Sequence, residues 1–447
     1  MNRWPLVAVE DLAATTDNAL ATGPFGSSIG TDTFRPVGVP VIRGSNLSAD
    51  VECRLDDASF VFIEEDLAQK FRRSQVGPGD LVFTCWGTIN QIGLIDSRSR
   101  YPRYVISNKQ MKLTPDPEKA DSLFLYYWFS GPQAQRQILS SGIGSSVPGF
   151  NLGQLRRMKV PLPALAEQRA VAKRLGTLDD MIELNQGTNR ILEELVRRTF
   201  QSWFLDFEPV RAKVAGASNF RGMPQKAFGR LPTALAESSL GRVPVGWQVA
   251  PLSKIVELLG GGTPKRKVPD YWDGEIPWFS VRDAPAEGAI WVIDTAEHIT
   301  QAGADNSSAK VVRPGTTIIS ARGTVGRLAL TGVPMALNQS CYGIQGADGA
   351  GDYFTYFTLY HAVEELKRRT HGCVFDTITR QTFDSLLRIR PQQEALDAFE
   401  GAVAPYMELI RHNLFENRTL ALIRNALLPR LISGKLMANG PEEADHG

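Results

Sequence analysis

The sequence predicts an α+β protein: two similar mixed α/β domains separated by two long antiparallel coiled-coil helices, with an approximate two-fold axis. Three observations carry that expectation. First, the chain repeats itself about 228 residues apart. Phe129 recurs as Phe357, Gly144 as Gly372, Pro163 as Pro391 and Ala170 as Ala398. Asn185, Asn189, Arg190 and Leu192 recur as Asn413, Asn417, Arg418 and Leu420. A long internal repeat governs everything read after it. Second, the repeat is ungapped only over roughly 124–200. Upstream it holds with shifting offsets, pairing Trp4 with Trp247, Pro78-Gly79 with Pro314-Gly315, Gly87-Thr88 with Gly323-Thr324, and Asn108 with Asn338. Each half is therefore a variable block followed by a helix of fixed length. Third, those helices carry an apolar seam whose steps alternate four and three, a heptad pattern.

In chain order, residues 1–160 form the first domain. Short β-branched and aromatic runs at Val39–Arg43, Phe60–Ile63, Asp80–Cys85, Gly93–Ile95, Tyr104–Ser107 and Met111–Leu113 read as strands between Gly and Pro turns. An aromatic helix is expected near 121–139, then a Gly-rich loop at Ser141–Gly149. The first long helix is expected within 161–205, with Val171, Leu175, Leu178, Ile182, Asn185, Asn189, Leu192 and Val196 in its seam. Residues 206–246 form a connector rich in Pro, Gly, Ala and Ser. Residues 247–391 repeat the first domain, with a helix near 352–370 and a loop at His371-Gly372. The second long helix occupies 392–436, with Phe399, Val403, Tyr406, Ile410, Asn413, Asn417 and Leu420 in its seam and Arg424 breaking the pattern. Residues 437–447 are expected to fray. Two Asn in mid-seam of each helix imply that the helices pack on one another, with Asn185, Asn189, Asn413 and Asn417 fixing the register. Two unrelated core helices with solvent-facing Asn are the plainer reading, and the match at one offset argues against it.

A chain of 447 residues suits two or more domains, and 43% hydrophobic with 22% charged residues is ordinary globular composition. No apolar run reaches membrane-span length, and the start lacks the apolar core of a signal peptide. Cys53, Cys85, Cys341 and Cys373 are isolated and read as free thiols, so a cytoplasmic location is expected.

Catalytic signatures are missing. There is no Gly-x-x-x-x-Gly-Lys-Ser/Thr loop and no Asn-Pro-Pro-Tyr-like segment. The five His lie far apart, with no metal-ligand spacing. Gly260-Gly261-Gly262 is followed by Thr263-Pro264 rather than a helix-forming stretch. The chain reads as a binder and not as an enzyme.

Three segments carry a resemblance: PLPALAEQRAVAKRLGTLDDMIELNQ at 161–186, SWFLDFEPVRAK at 202–213 and NALLPRLISGKL at 425–436. They resemble the specificity subunit of type I restriction–modification enzymes, and the likeness extends over nearly the whole chain. One departure is that Glu167-Gln168 faces Ala395-Leu396 in the second copy. The resemblance implies two target-recognition domains, each reading one half of a split DNA site, with the helices setting the spacer. It implies methyltransferase and restriction/translocase partner subunits that use S-adenosylmethionine, ATP and magnesium, and no cofactor in this chain. Net charge of +1 is far from the basic footprint of a lone DNA binder, so much of the affinity for double-stranded DNA is assigned to those partners. A tandem-domain protein-interaction scaffold without a DNA role is the alternative.

Base edges are read by Arg, Asn, Gln, Lys, Ser and Thr on loops. The candidates are Trp86, Thr88, Asn90 and Gln91 after one Pro-Gly strand, with Arg322, Thr324 and Arg327 in the second copy. Arg43 and Asn46 follow an apolar strand, with Arg282 and Asp283 as their expected counterparts. Lys109 and Lys265 lie in basic stretches. Each such loop residue has a purely local reading, since Gly-Thr is common in turns. Asn108 and Asn338 read as structural, because the same residue recurs where readers should differ.

Overall fold

A computed structural model describes residues 4–26, 28–140, 149–286, 288–369 and 377–438. It divides into two compact units, one of Met1–Ile182 with Thr419–Gly447 and one of Glu183–Arg418. The division falls inside both long helices, so each unit contains a domain and a piece of each helix.

In the first unit, strands Leu20–Thr22, Gln110–Leu113, Leu81–Thr84 and Ile92–Leu94 form one antiparallel sheet in that order. A second sheet runs Val61–Ile63, Val39–Ile42, Tyr104–Ile106, Gln75–Val76, and its central pair is parallel. The second unit repeats both sheets strand for strand. Val256–Gly260, Cys341–Gly346, Thr317–Ser320 and Leu328–Thr331 form the first, extended by Trp291–Val292. His298–Ile299, Trp272–Phe279, Met335–Leu337 and Val311–Val312 form the other, again with a parallel central pair. Each domain is closed by one antiparallel pair: Leu6–Ala8 with Lys159–Pro161, and Gln248–Pro251 with Leu387–Arg390. The expected strands lie within a residue or two of these bounds.

The aromatic helix of the first domain is two helices. Ser122–Ser130 buries six consecutive residues, Phe124 to Phe129. It ends at Gly131 because Pro132 cannot donate and instead opens Pro132–Ser140. The second copy lacks that Pro and runs unbroken over Asp352–Arg369. Its first turn is held by Glu400, which accepts from the backbone N–H of Phe354 at 2.7 Å and of Tyr353 at 3.4 Å. Gln168 serves the first unit similarly, accepting from Asp121 N–H at 2.9 Å and donating to the carbonyls of Lys119 and Pro163. In the second unit Ala395 and Leu396 are simply core. The repeat thus keeps a brace between helix and domain while changing its chemistry and its position.

The long helices span Leu165–Phe200 and Gln393–Leu431, 36 and 39 residues, or about 54 and 58 Å at 1.5 Å per residue. The first continues as a π-turn over Gln201–Leu205 and stops at Phe207, whose φ of 53° is left-handed. Within the second unit the helices run antiparallel. The Asn185 amide donates to Asn417 Oδ1 at 2.9 Å and to Glu416, and Asn413 donates to Asn189 Oδ1 at 2.8 Å. Pairing these amides, Asn189 and Asn413 buried and Asn185 and Asn417 half-buried, stabilises one alignment over its neighbours, since a slipped helix would leave them unpaired.

Two seam assignments are corrected. Tyr406 is 39% exposed and Met407 is fully buried, because the helix drifts by about 20° per heptad unless it is supercoiled. Arg424 does not break the seam. It is 1% exposed in the first unit, between Asp179 Oδ1 and Glu52 Oε1, each at 2.9 Å.

The connector is folded: helices Glu208–Val214 and Gln225–Arg230 and a hairpin of Leu235–Ser238 with Gly241–Pro244. Its Phe207, Val210, Met223 and Phe228 belong to the core of the second unit. At the other end, Ala438 is buried and donates to Glu167 at 2.9 Å, so the start of the expected frayed tail is held. Residues 439–447, the Gly-rich loop up to 148, and His371-Gly372 lie outside the described residues.

Candidate nucleic-acid interface

In the first domain three loops converge because neighbouring strands end together. Ser107 N–H donates to Ile42 O at 3.0 Å, and Cys85 N–H donates to Lys109 O at 2.7 Å. The turns after Val39–Ile42, Leu81–Thr84 and Tyr104–Ile106 therefore meet around one open depression of about 600 Å³. Arg43, Trp86, Thr88, Gln91, Asn108 and Lys109 all line it. Gly87, at φ 92°, turns the chain so that Trp86 and Thr88 stay exposed. Trp86 is 52% exposed and lies against Gly149, where an added Cβ would meet the indole ring at 2.6 Å.

The candidates differ in what they have left to offer. Trp86, Thr88 and Lys109 are exposed. Arg43 is half-buried beside the Phe34 ring, and its Nε has no hydrogen-bond partner. Gln91 donates to Leu47 O at 2.9 Å and accepts from Thr84, so its amide is already used. Asn90 is half-buried beside it. Asn46 is fully buried, accepting from Arg43 N–H and donating to the carbonyls of Asp56 and Ser59. That saturated side chain shapes the loop and cannot face a base without unfolding it.

The second domain builds the same scaffold. Asn338 N–H donates to Phe279 O at 2.9 Å, and Ala321 N–H donates to Ser340 O at 2.7 Å. Ile378 N–H donates to Ala321 O as Phe150 N–H does to Cys85 O. These bonds make Arg322 the counterpart of Trp86. They also correct two expected pairings. Arg43 matches Ser280 and not Arg282, while Asn46 does match Asp283, which accepts from Ser280 and from Ala296 N–H. Asn338 matches Ser107, and Asn108 matches Gln339, so the two Asn are not one repeated residue. Both Asn108 and Gln339 are exposed. Sequence reasoning missed Gln339; its signal was its place two residues after Met335–Leu337, the parallel partner of the strand that leads to Ser280.

Arg322 and Thr324 are exposed on a loop turned by Gly323 and Gly326, with φ of 77° and 82°. Arg327 points inward and donates to Pro285 O at 2.7 Å, tying two loops together. Arg282 lies 3.4 Å from Glu297, and Lys265 is exposed on its turn. The neighbouring Arg266 stacks 3.8 Å over Trp272 and pairs with Glu297. That bond holds the Glu297 carboxyl below its usual range.

The first domain offers exposed indole, amide, hydroxyl and ammonium groups at Trp86, Asn108, Thr88 and Lys109, and the second offers exposed guanidinium, hydroxyl and amide groups at Arg322, Thr324 and Gln339. Such groups can stack on bases, bridge phosphates and donate to base edges.

Comparison with known proteins agrees with this geometry. The family described as "Type I restriction modification DNA specificity domain" matches residues 33–194 and 244–389. The HindI specificity subunit of Haemophilus influenzae is 24% identical over 375 residues, covering 74% of this chain and 81% of that protein. The MjaIX specificity subunit of Methanocaldococcus jannaschii is 24% identical over 70% of this chain and 69% of its own. A crystal structure of the S subunit of a type I system from M. genitalium shares the fold, with a TM-score of 0.57, 14% identity and 96% of both chains covered. Two matched segments that each hold one three-loop frame, and relatives that span most of the chain, place this protein in the type I restriction–modification DNA specificity family.

Proposed function

We propose that each domain reads one half of a bipartite DNA sequence through its three converging loops, and that the paired helices set the distance between halves. One observation carries this reading. The strand register beneath the loops is the same in both domains, while the side chains at four matched positions differ: Arg43 and Ser280, Trp86 and Arg322, Asn108 and Gln339, Lys109 and Ser340; Thr88 and Thr324 are the same. A fixed frame with exchanged tips is what reading two different sequences requires.

Chemistry falls to partner subunits, which on this reading bind S-adenosylmethionine, ATP and magnesium. Among the described residues no cluster of three or more His, Cys, Asp or Glu is placed to hold a metal ion. A docking surface for partners is supported by Leu184, Ile191 and Leu195 on the first long helix, which are exposed at helical spacing away from the seam. Apolar side chains in such a row are costly to leave in water. No described helix is long and apolar enough to cross a membrane.

The test is methylation mapping in cells that carry this chain with its modification partners. Exchanging residues 1–160 for the first domain of another family member should change one half of the methylated sequence only. A change in both halves would defeat the reading.

A further inference from the structure

The two Asn layers do not distinguish one long helix from the other. In the 228-residue repeat Asn185 corresponds to Asn413 and Asn189 to Asn417. A first helix paired with a second copy of itself would therefore set Asn185 against Asn189, as would a second helix with Asn413 against Asn417. The layers that flank the Asn pairs are apolar in both helices, with Ile182, Leu192, Ile410 and Leu420 available to either pairing. Something else must make the helices prefer each other.

The layer beyond Ile182 and Leu420 is the one whose charge differs between the two ends of the pairing. In the first unit Asp179 meets Arg424, both nearly inaccessible. Their counterparts in the repeat are Met407 and Val196, both fully buried in the apolar core of the second unit. The same register that joins Asn189 to Asn413 sets Val196 against Met407. One layer is thus an ion pair and its repeat is a pair of hydrocarbons. The charges are committed on every side. Asp179 also accepts from the Tyr127 hydroxyl and lies 3.6 Å from Arg54, which is paired with Asp96 at 2.6 Å. Arg424 reaches Glu52 at 2.9 Å and Asn425.

We infer that Asp179 and Arg424 make the two halves of this chain select one another over a second copy of themselves. Pairing two second helices would strand Arg424 against Met407 twice, among apolar neighbours and away from Glu52. Pairing two first helices would set Asp179 against Val196 twice. Removing one partner of a buried ion pair is strongly destabilising, whereas the pair itself adds little over hydrocarbon. The layer therefore acts through what it forbids. The second-helix pairing is the more strongly excluded, because Asp179 retains Tyr127 and Arg54 while Arg424 retains only Asn425. The kind of partner each helix accepts is the unlike half.

The experiment starts from the intact, folded chain with a protease site in the exposed loop at 215–219. After cleavage the two pieces are unfolded in urea and refolded together, and native mass spectrometry reads which pieces pair. Wild type should give unlike pairs almost exclusively. The variant Asp179→Met with Arg424→Val, which copies the other layer, should raise the share of like pairs at least ~10-fold. Like pairs at similar levels in both would overturn the inference. It would assign selectivity to the size difference between Leu428, Leu431 and Ile432 and their counterparts Phe200, Trp203 and Phe204. A second measurement needs no cleavage. In urea unfolding of the intact chain, Arg424→Val alone should raise the unfolded-to-folded ratio on the order of 100-fold, and adding Asp179→Met should recover most of it. A single variant as stable as wild type would also overturn it.

Discussion

Glu400 shows how a residue can be shaped by burial and by its hydrogen bonds at once. Burial pushes its carboxyl up to about 7, although the two backbone N–H groups it accepts from favour the charge. Burial does the same to Glu193, which also reaches about 7. A carboxyl whose folded pKa is raised adds stability below its unfolded pKa, and that contribution is lost as pH rises through about 7. His361 works at the other end, since burial first and then nearby Arg side chains lower it to about 4. Its contribution is lost as pH falls below about 6.5. Glu400→Gln keeps an acceptor for Phe354 and removes the charge. It should leave stability at pH 5 nearly unchanged and raise it at pH 8 by on the order of 2 kcal/mol. Chemical denaturation at the two pH values checks this, and equal effects at both would contradict it. Such braces are not legible in sequence. Glu400 and Phe354 are 46 residues apart, and no local pattern joins them.

At the scale of elements, the heptad reading located both helices and both Asn layers, because a seam is a local periodic signal. It placed Tyr406 where Met407 packs, and it read Arg424 as a break. Periodicity records which positions face inward but not what they meet, and Glu52 lies 372 residues from Arg424. The loops were legible as candidates and not as a site, because strand register brings them together and their offsets vary along the chain. Asn46 failed as a reader for the same reason: its partners Asp56 and Ser59 become visible only in the fold. The exposed row on the first helix gives a sharp expectation. Leu184→Asp with Ile191→Asp should weaken co-purification with the methyltransferase subunit at least ~10-fold while leaving the melting temperature within a few degrees. Undiminished association would place the docking surface elsewhere.

For the molecule as a whole, the helices act as the ruler of the proposed reading. Phe200 packs against Phe354, Phe357 and Phe399, so extra residues near Arg198 would tear that core. The place for an insertion is where the units divide, between Ile182 and Glu183 and between Arg418 and Thr419. Four residues added at both points lengthen each helix by about 6 Å and turn it by roughly 40° past a full circle. One base pair advances DNA by about 3.4 Å and turns it by about 34°. The angles nearly agree, and an inclination of the helices to the DNA takes up the remaining length of about 2–3 Å, so the unread spacer should grow by one base pair with both half-sites kept, as read by methylation mapping. An unchanged spacer would remove the ruler from the account.

On the proposed reading, matched loop positions in the two domains read separate halves of the site. Trp86 and Arg322 occupy the same place in the two domains, so they test it together. Methylated sequences should be mapped at base resolution for cells expressing Trp86→Ala and, separately, Arg322→Ala. Loss of one base-edge contact is worth about 1–3 kcal/mol of discrimination. Each variant should therefore relax a base in one half only, and the two variants should affect opposite halves. Relaxation of the same half by both variants, or an unaltered methylated sequence in both, would show that Trp86 and Arg322 do not read separate halves.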